Sequence, residues 1–366
     1  MARVQDAVDP FHTSRSPRAD AAPAVGGQGR QLFQHHPVVG YRFIPGLTAR
    51  VPFENGGYLV RVNRAGFRSN REYVAAQDPG TQRVLLFGDS FTAGNGVAND
   101  KRYSDLLETL VPNLEVYNYG LPASGTDQQY LAYREFAQGI PHDLLMVAVF
   151  VENIRRNASR YRAWRLTGHM DEVGATAVFP KPHFELVDGE LTLRGVPVPG
   201  RPIDEAELQP EDRDKIDRGG RFQRWPLSEI RKVVSGMRMT DLCQRITQYE
   251  ALPEYNSPSS PPWRLMHAIL ERWVREHPKP VLVVPIPLHQ FVEETSDPGA
   301  CRVRFREFTR ATGCLLHDPL DDLLTYSPPE RRAFRFAKDI HLTPTGHLAL
   351  ARSIAPALTR FLGRTQ

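Results

Sequence analysis

The chain has little of what would place it in a membrane or among disulfide-rich secreted domains. Its 366 residues include only three cysteines, Cys243, Cys301 and Cys314, which cannot all pair within one chain and show no metal-type spacing. No stretch approaches the roughly 18 consecutive apolar residues of a membrane span. The first thirty residues contain no apolar core of the kind that a signal peptide needs. We therefore expect a reducing compartment and a soluble, cytoplasmic protein.

The net charge of the chain is also small for its length. Lysine and arginine number 46 against 42 acidic residues, so that the formal net charge is +4. For a chain of this length, such an excess does not favour a nucleic acid as partner. The apolar content of 41% is enough to bury a substantial core, and we expect one large domain with insertions. The oligomeric state is left open.

Alternating strand and helix patterns predict an α/β fold. Apolar runs at 84–87, 143–150 and 280–285 have the length and continuity of strands buried on both faces. Helical spacing lies between such runs, for example at 102–110 and 263–276. The alternation predicts three layers, α/β/α, around a doubly wound parallel sheet.

Three segments depart from this alternation of strands and helices. Residues 1–30 are rich in Ala, Arg, Pro, Asp and Gly and are predicted to be a disordered leader, after which the chain forms a single domain to residue 366. Residues 31–75 carry short alternating patterns and are interpreted as an N-terminal β extension. Residues 155–262, rich in arginine and proline, are interpreted as an insertion or lid with a hairpin that turns at Asp188-Gly189.

The strongest chemical signal is a serine at the end of the first buried run. In the segment VLLFGDSFT, residues 84–92, Gly88 permits a sharp exit that leaves Ser90 at the carboxyl edge of the strand, where α/β enzymes collect active-site residues. Asp89 is interpreted as shaping this turn through backbone hydrogen bonds. A serine hydroxyl is a poor nucleophile at neutral pH, so it needs a base, an orienting acid and an oxyanion site.

A base and an acid stand together near the end of the chain. In the segment KDIHLTPTGH, residues 338–347, Asp339 lies two positions before His341, and a bent loop would bring the carboxylate onto the imidazole. The carboxylate would fix the imidazole tautomer while His341 takes the proton of Ser90. The alternative is that both are ordinary loop residues and Thr343 caps the final helix. The segment by itself favours that alternative, and its partnership with Gly-Asp-Ser favours catalysis.

In combination, these segments resemble the GDSL, or SGNH, hydrolases over most of the chain. The block FGDSFTAGNGV, residues 87–97, carries the nucleophile, and VNRAGFR, residues 62–68, resembles the lead-in of a longer, mostly bacterial branch. The family's last block commonly reads Asp-x-x-His, but Lys338 stands at that aspartate's place, so the acid role passes to Asp339. The resemblance implies a flavodoxin-like fold and a serine esterase that needs no metal or organic cofactor.

The resemblance also implies donors for the oxyanion, beginning with the backbone N–H of Ser90. In the second block, residues 118–126, Ala123 occupies the place of a glycine whose N–H would donate. The role survives this replacement provided that φ is negative there. Gly120 and Gly125 remain alternatives.

The third block normally supplies an asparagine side chain. An ungapped match puts Glu152 at that place, where a carboxylate would repel the oxyanion. Asn153, one residue later, is preferred on chemical grounds, with a strand-end cap as its alternative role.

Two further groups are interpreted as structural. His347 is expected to face the packing of the final helix or solvent. A group of arginines after the third block is interpreted as a solvated helix face, with binding of an anionic substrate group as the alternative. These arginines are Arg155, Arg156, Arg160, Arg162 and Arg165.

The sequence therefore predicts an ester hydrolase that removes a small O-acyl group, such as acetate, from a carbohydrate or metabolite through an acyl-enzyme. The first alternative passes the acyl group from Ser90 to an acceptor, as an O-acyltransferase of polysaccharide or natural-product biosynthesis. The second is a catalytically silent glycan-binding module, which Glu152 and Lys338 at two expected functional positions would fit.

Overall fold

The computed structural model describes residues 32–165, 176–217 and 250–363. The predicted leader, 1–30, lies outside them. The strands are β1 (Phe33–His36), β2 (Gly40–Phe43), β3 (Thr48–Val51), β4 (Tyr58–Arg61), β5 (Gln82–Phe87), β6 (Leu114–Asn118), β7 (Leu144–Phe150), β8 (Tyr161–Arg165), β9 (Thr176–Pro180), β10 (His183–Val187), β11 (Glu190–Arg194), β12 (Ile216–Asp217), β13 (Val281–Ile286) and β14 (Leu315–Leu316). The α-helices of these ranges are α1 (Ser90–Ala93), α2 (Tyr103–Leu110), α3 (Thr126–Phe136), α4 (Asn153–Asn157), α5 (Pro210–Arg213), α6 (Pro261–Glu276), α7 (His289–Val292), α8 (Gly299–Thr312), α9 (Leu320–Leu324), α10 (Pro328–Arg332) and α11 (Pro344–Leu362).

A parallel five-stranded sheet forms the centre, in the order β6-β5-β7-β13-β14. Val84 of β5 pairs with Val116 on one side and Leu144 on the other. Strand β7 is buried along its whole length, as expected where helices cover both faces of a parallel sheet. Counted from β5, the strand order is 2-1-3-4-5, which confirms the predicted flavodoxin-like α/β fold and puts the reversal of strand order between β5 and β7.

Helices cover the sheet in two layers. Helix α2 packs against α11, while α3 and α8 each pack against α6. The five buried residues of α6 form one face of the helix, with spacings of three positions and one adjacent pair, and are Trp263, Met266, Ile269, Leu270 and Trp273. This helix starts two residues before the predicted boundary, since prolines fit the first turn of a helix. In the described ranges, no helix is long and apolar enough to cross a membrane.

The segment interpreted as a β extension folds into two antiparallel hairpins, β1-β2 and β3-β4, outside the central sheet. It is joined to the core through Arg68, which is 1% exposed. This guanidinium donates hydrogen bonds to the backbone oxygens of Ala93, Gly94 and Val97, at distances of 2.6 to 2.7 Å. The hairpins are therefore held against the loop that follows Ser90.

The described part of the region interpreted as an insertion forms a small sheet, β12-β8-β9, and a hairpin, β10-β11. The hairpin turns at Asp188 and Gly189 as predicted, and both have positive φ, 51° and 85°, which suits a tight two-residue turn. Buried Lys181 ties this region to α3, because its ammonium lies 2.5 Å from a carboxylate oxygen of Asp127.

Candidate active site

The structure brings Ser90, His341 and Asp339 into one chain of hydrogen bonds. Nε2 of His341 lies 2.7 Å from Oγ of Ser90. Nδ1 of His341 lies 2.5 Å from Oδ1 of Asp339, and the backbone N–H of His341 donates to the same oxygen over 2.8 Å. The three residues thus make the contacts that the Ser-His-Asp triad of a serine hydrolase requires.

Ser90 reaches this position because the chain turns tightly at the end of β5. A side chain at Gly88 would meet Oγ1 of Thr92 at 2.0 Å and the backbone oxygen of Ala148 at 3.0 Å, so close packing requires glycine there. Oδ1 of Asp89 accepts the backbone N–H of Phe91 over 3.0 Å, as predicted for a residue that shapes the turn. Helix α1 then starts at Ser90 itself.

The contact between Asp339 and His341 determines which ring nitrogen of His341 carries the proton. Burial disfavours ionisation of Asp339, but its hydrogen bonds and charge interaction with His341 outweigh burial and lower the pKa of the carboxyl. An ionised Asp339 accepts from the Nδ1–H of His341, which leaves Nε2 as the acceptor for the Ser90 hydroxyl. The ring of Phe91 packs 5.1 Å from the imidazole centroid.

The hairpin β3-β4 holds the loop of Asp339 and His341. The backbone N–H of Lys338 donates to Oε1 of Glu54 over 2.8 Å, and the rings of Phe53 and Phe336 pack with centroids 4.8 Å apart. Sequence reasoning missed these contacts, because they join residues some 280 positions apart and no local pattern marks them.

The oxyanion side departs from expectation at Ala123. Its φ is +68°, so the expected negative φ is wrong, and alanine holds the left-handed conformation that glycine adopts more easily. The positive φ costs strain but does not remove the backbone N–H, so the residue can still donate. The backbone oxygen of Ala123 accepts a hydrogen bond of 2.9 Å from Arg162. The alternative at Gly120 is disfavoured, because its N–H already donates to Oδ1 of Asn118 over 2.8 Å.

Asn153 follows β7, the strand next to β5, so it stands at the same sheet edge as Ser90. Its side chain is buried, and its Oδ1 accepts from Arg156 over 2.9 Å. Among the described residues, its Nδ2 has no hydrogen-bond partner. Oε1 of Glu152 lies 3.8 Å from Nη1 of Arg155. Burial raises the pKa of the Glu152 carboxyl, and this effect exceeds the lowering by the positive charges of Arg156 and Arg155. A donor without a partner suits an oxyanion site, and no side-chain cap forms at this helix start. Nδ2 of Asn157, on the same helix, also has no partner among the described residues, but Asn157 lies further from the end of β7 along the chain.

The prediction of a solvated helix face for the arginines is wrong. Helix α4 ends at Asn157, Arg160 lies in the loop that follows, and Arg162 and Arg165 lie on strand β8. Carboxylates pair with the four whose side chains the structure describes, which removes the reason to propose an anionic substrate group. The pairs are Arg155 with Glu254, Arg156 with Asp89, Arg160 with Glu185 and Asp212, and Arg162 with Asp217.

His347 lies in the packing of α11, as predicted. Its Nδ1 accepts the backbone N–H of Tyr103 over 3.2 Å, and burial together with the charges of Arg102 and Arg68 lowers its pKa to about 3. Within the described ranges, no three His, Cys, Asp or Glu side chains are placed to hold a metal ion.

No family model and no curated protein matches the chain. Solved structures to which it is similar include a member of the lipolytic G-D-S-L family from Veillonella parvula, 10% identical, covering 76% of this chain and 100% of that one at a TM-score of 0.38. A lipase/acylhydrolase from Enterococcus faecalis is 13% identical, with 78% and 97% covered and a TM-score of 0.39. A catalytic mutant of an acetylxylan esterase from Geobacillus stearothermophilus is 13% identical, with 79% and 97% covered and a TM-score of 0.38.

Proposed function

We propose that the protein is a carboxylic ester hydrolase of the SGNH, or GDSL, type. The observation that carries this proposal is the continuous chain of hydrogen bonds from Ser90 through His341 to Asp339. It lies at the carboxyl edge of a doubly wound sheet, beside the reversal of strand order, where such folds bind their ligands.

In the proposed mechanism, Oγ of Ser90 attacks the ester carbonyl while Nε2 of His341 takes the hydroxyl proton. Asp339 stabilises the imidazolium that forms. The backbone N–H groups of Ser90 and Ala123 and the side-chain amide of Asn153 donate to the oxyanion. The tetrahedral intermediate expels the alcohol, which takes the proton from His341. Water, deprotonated by the same imidazole, then attacks the acyl-serine, releases the carboxylic acid and restores the Ser90 hydroxyl.

We propose a small acyl group, such as acetate on a carbohydrate or metabolite. Ser90 is only 4% exposed. The ring of Phe91 beside it packs 4.3 Å from Phe150 and 5.1 Å from His341, measured between ring centroids, and such close packing around the nucleophile suits a small acyl group. A series of p-nitrophenyl esters tests this part, and we expect kcat/KM to fall from acetate to butyrate and octanoate.

The silent glycan-binding alternative has less support. Lys338 uses its backbone N–H to bind Glu54, and Asp339 supplies the carboxylate that Lys338 lacks. Asn153 likewise offers an amide beside Glu152. The cytoplasmic location stays a prediction from the cysteine content.

The test compares hydrolysis of p-nitrophenyl acetate by the wild type and by Ser90→Ala. We expect the substitution to abolish turnover and labelling by a fluorophosphonate probe. Ser353→Ala is the matched control, because Ser353 also contacts a histidine and a carboxylate, His317 and Asp322, on another part of the fold.

Turnover that survives in Ser90→Ala would contradict the proposal. Addition of alcohol or sugar acceptors separates hydrolysis from transfer. If acyl transfer to an acceptor outruns release of the free acid, the protein is an acyltransferase that uses the same serine.

A further inference from the structure

One arginine, Arg156 on helix α4, touches three separate parts of the candidate site. Its Nη1 lies 2.7 Å from Oδ2 of Asp89, the residue before the nucleophile. The same nitrogen lies 2.9 Å from Oδ1 of Asn153 and 3.4 Å from the backbone oxygen of Ser124, the residue after Ala123. The nucleophile turn and both proposed oxyanion donors from other segments therefore meet at a single guanidinium.

The charge on this guanidinium is kept despite burial. Only 13% of the Arg156 side chain is exposed. Burial works against the charge, but Asp89, Asp217 and Glu152 outweigh it and raise the pKa of the guanidinium above its ordinary value. Asp217 belongs to strand β12 of the region interpreted as an insertion, and its carboxylate lies 3.8 Å from Nε of Arg156. The guanidinium therefore stays charged and remains a hydrogen-bond donor to Asp89, Ser124 and Asn153.

The contact between Arg156 and Asn153 determines which end of the Asn153 amide has no hydrogen-bond partner in the described part of the chain. A guanidinium has no acceptor atoms, so it can hold only the oxygen of a neighbouring amide. Because Oδ1 of Asn153 is taken by Arg156, the NH₂ group is the end that remains without a partner among the described residues. Without the arginine, the amide would be free to rotate and present its oxygen instead.

We propose that Arg156 is the positioning residue of the oxyanion site. It turns the Asn153 amide so that its N–H₂ is available. The inference rests on the proposed hydrolase function. Lysine is a poor substitute, since one ammonium nitrogen cannot supply both the contacts that Nη1 makes and the approach of Nε to Asp217.

The experiment measures kcat and KM for p-nitrophenyl acetate in Arg156→Gln, Arg156→Lys, Asn153→Ala and the double variant Asn153→Ala with Arg156→Gln. We expect Arg156→Gln to lower kcat by about 10²-fold, as loss of one oxyanion donor does, with KM changed less than about threefold. Once Asn153 is alanine, adding Arg156→Gln should lower kcat by less than about threefold more, because the two act as a unit.

Arg155→Gln is the matched control, since Arg155 is the neighbour on the same helix and pairs with Glu254 instead. We expect it to keep kcat within about threefold of the wild type. If Arg156→Gln does not fold, Arg156→Lys keeps the buried positive charge and carries the test. It should then show a drop in kcat of about tenfold at unchanged KM.

The outcomes separate the inference from the function on which it rests. Turnover that depends on Ser90, together with full kcat in Arg156→Gln or in a folded Arg156→Lys, overturns the inference alone. Strictly multiplicative losses in the double variant overturn the claim that Arg156 acts through Asn153. Turnover independent of Ser90 overturns the proposed function and the inference together.

Discussion

Histidines at opposite edges of the same parallel sheet differ in burial, since His341 is partly buried whereas His142 and His277 are buried. At the carboxyl edge, His341 contacts a carboxylate on one ring nitrogen and a serine hydroxyl on the other. At the amino edge, His142 precedes β7 and His277 precedes β13, and their Nε2 atoms lie 3.1 Å apart. The remaining ring nitrogen of His277 contacts the hydroxyl of Tyr133 at 2.8 Å.

The difference shows that the partners of a histidine, together with its burial, decide what the side chain can do. Burial and the neighbouring His142 lower the pKa of His277 to about 4, so that this pair is neutral at physiological pH and serves packing. His341 sits beside Asp339, whose carboxylate stabilises an imidazolium when a proton arrives. The same side chain is therefore structural at one edge and suited to proton transfer at the other.

Removal of the Asp339 carboxylate, which distinguishes His341 from the histidines at the amino edge, should have the largest effect on kcat. We expect Asp339→Asn to lower kcat by about 10⁴-fold, because an amide at this place favours the wrong tautomer of His341. Steady-state hydrolysis of p-nitrophenyl acetate measures it. Asp318→Asn, which breaks a pair with Arg302 away from the site, is the control. A loss below about tenfold for Asp339→Asn would mean that Asp339 is not the orienting acid.

The oxyanion side should respond less strongly than the proton-transfer side. We expect Asn153→Ala to lower kcat by about 10²-fold with little change in KM, since the amide acts chiefly in the transition state. Asn157→Ala, one turn further along α4, is the control, because its Oδ1 accepts the backbone N–H of Asp127. Equal losses in the two variants would show that the effect comes from helix α4 as a whole.

At the amino edge, the expected effect is on stability and not on activity. The folded pKa of His277, about 4, lies below its ordinary value of 6.5, so the unfolded chain takes up a proton first as the pH falls. Stability is therefore lost between pH 6.5 and about 4. We expect His277→Gln to flatten this pH dependence in urea unfolding while kcat stays unchanged. An unaltered slope between pH 7 and 5 would contradict the assignment.

The smallest effect is expected at Ala123, which carries backbone strain at the carboxyl edge. Because its φ is +68°, we expect Ala123→Gly to stabilise the protein by about 1 kcal/mol and to keep activity, since the backbone N–H is retained. The control is Ala158→Gly, at a φ of −79°, where glycine should destabilise by up to about 1 kcal/mol. Equal changes in the urea midpoints of the two variants would contradict the strain.

Local patterns were enough to predict much of the fold. The runs at 84–87, 143–150 and 280–285 match β5, β7 and β13 to within a few residues, because long apolar runs bounded by turn residues have few other structures available. The misreading of the arginines has the opposite cause. Their carboxylate partners lie far along the chain or on neighbouring elements, so nothing near them in the sequence reveals that they are paired.

By itself, the sequence determined the alternation of strands and helices, the turn that presents Ser90 and the pairing of Asp339 with His341, because each depends on residues close together in the chain. Only the tertiary structure decided that these two segments meet, that the Asn153 amide oxygen contacts Arg156, and that Ala123 adopts a positive φ. Parallel strands bring distant loops to one edge, and burial makes the polar groups gathered there bind one another. Such contacts depend on the whole packed fold.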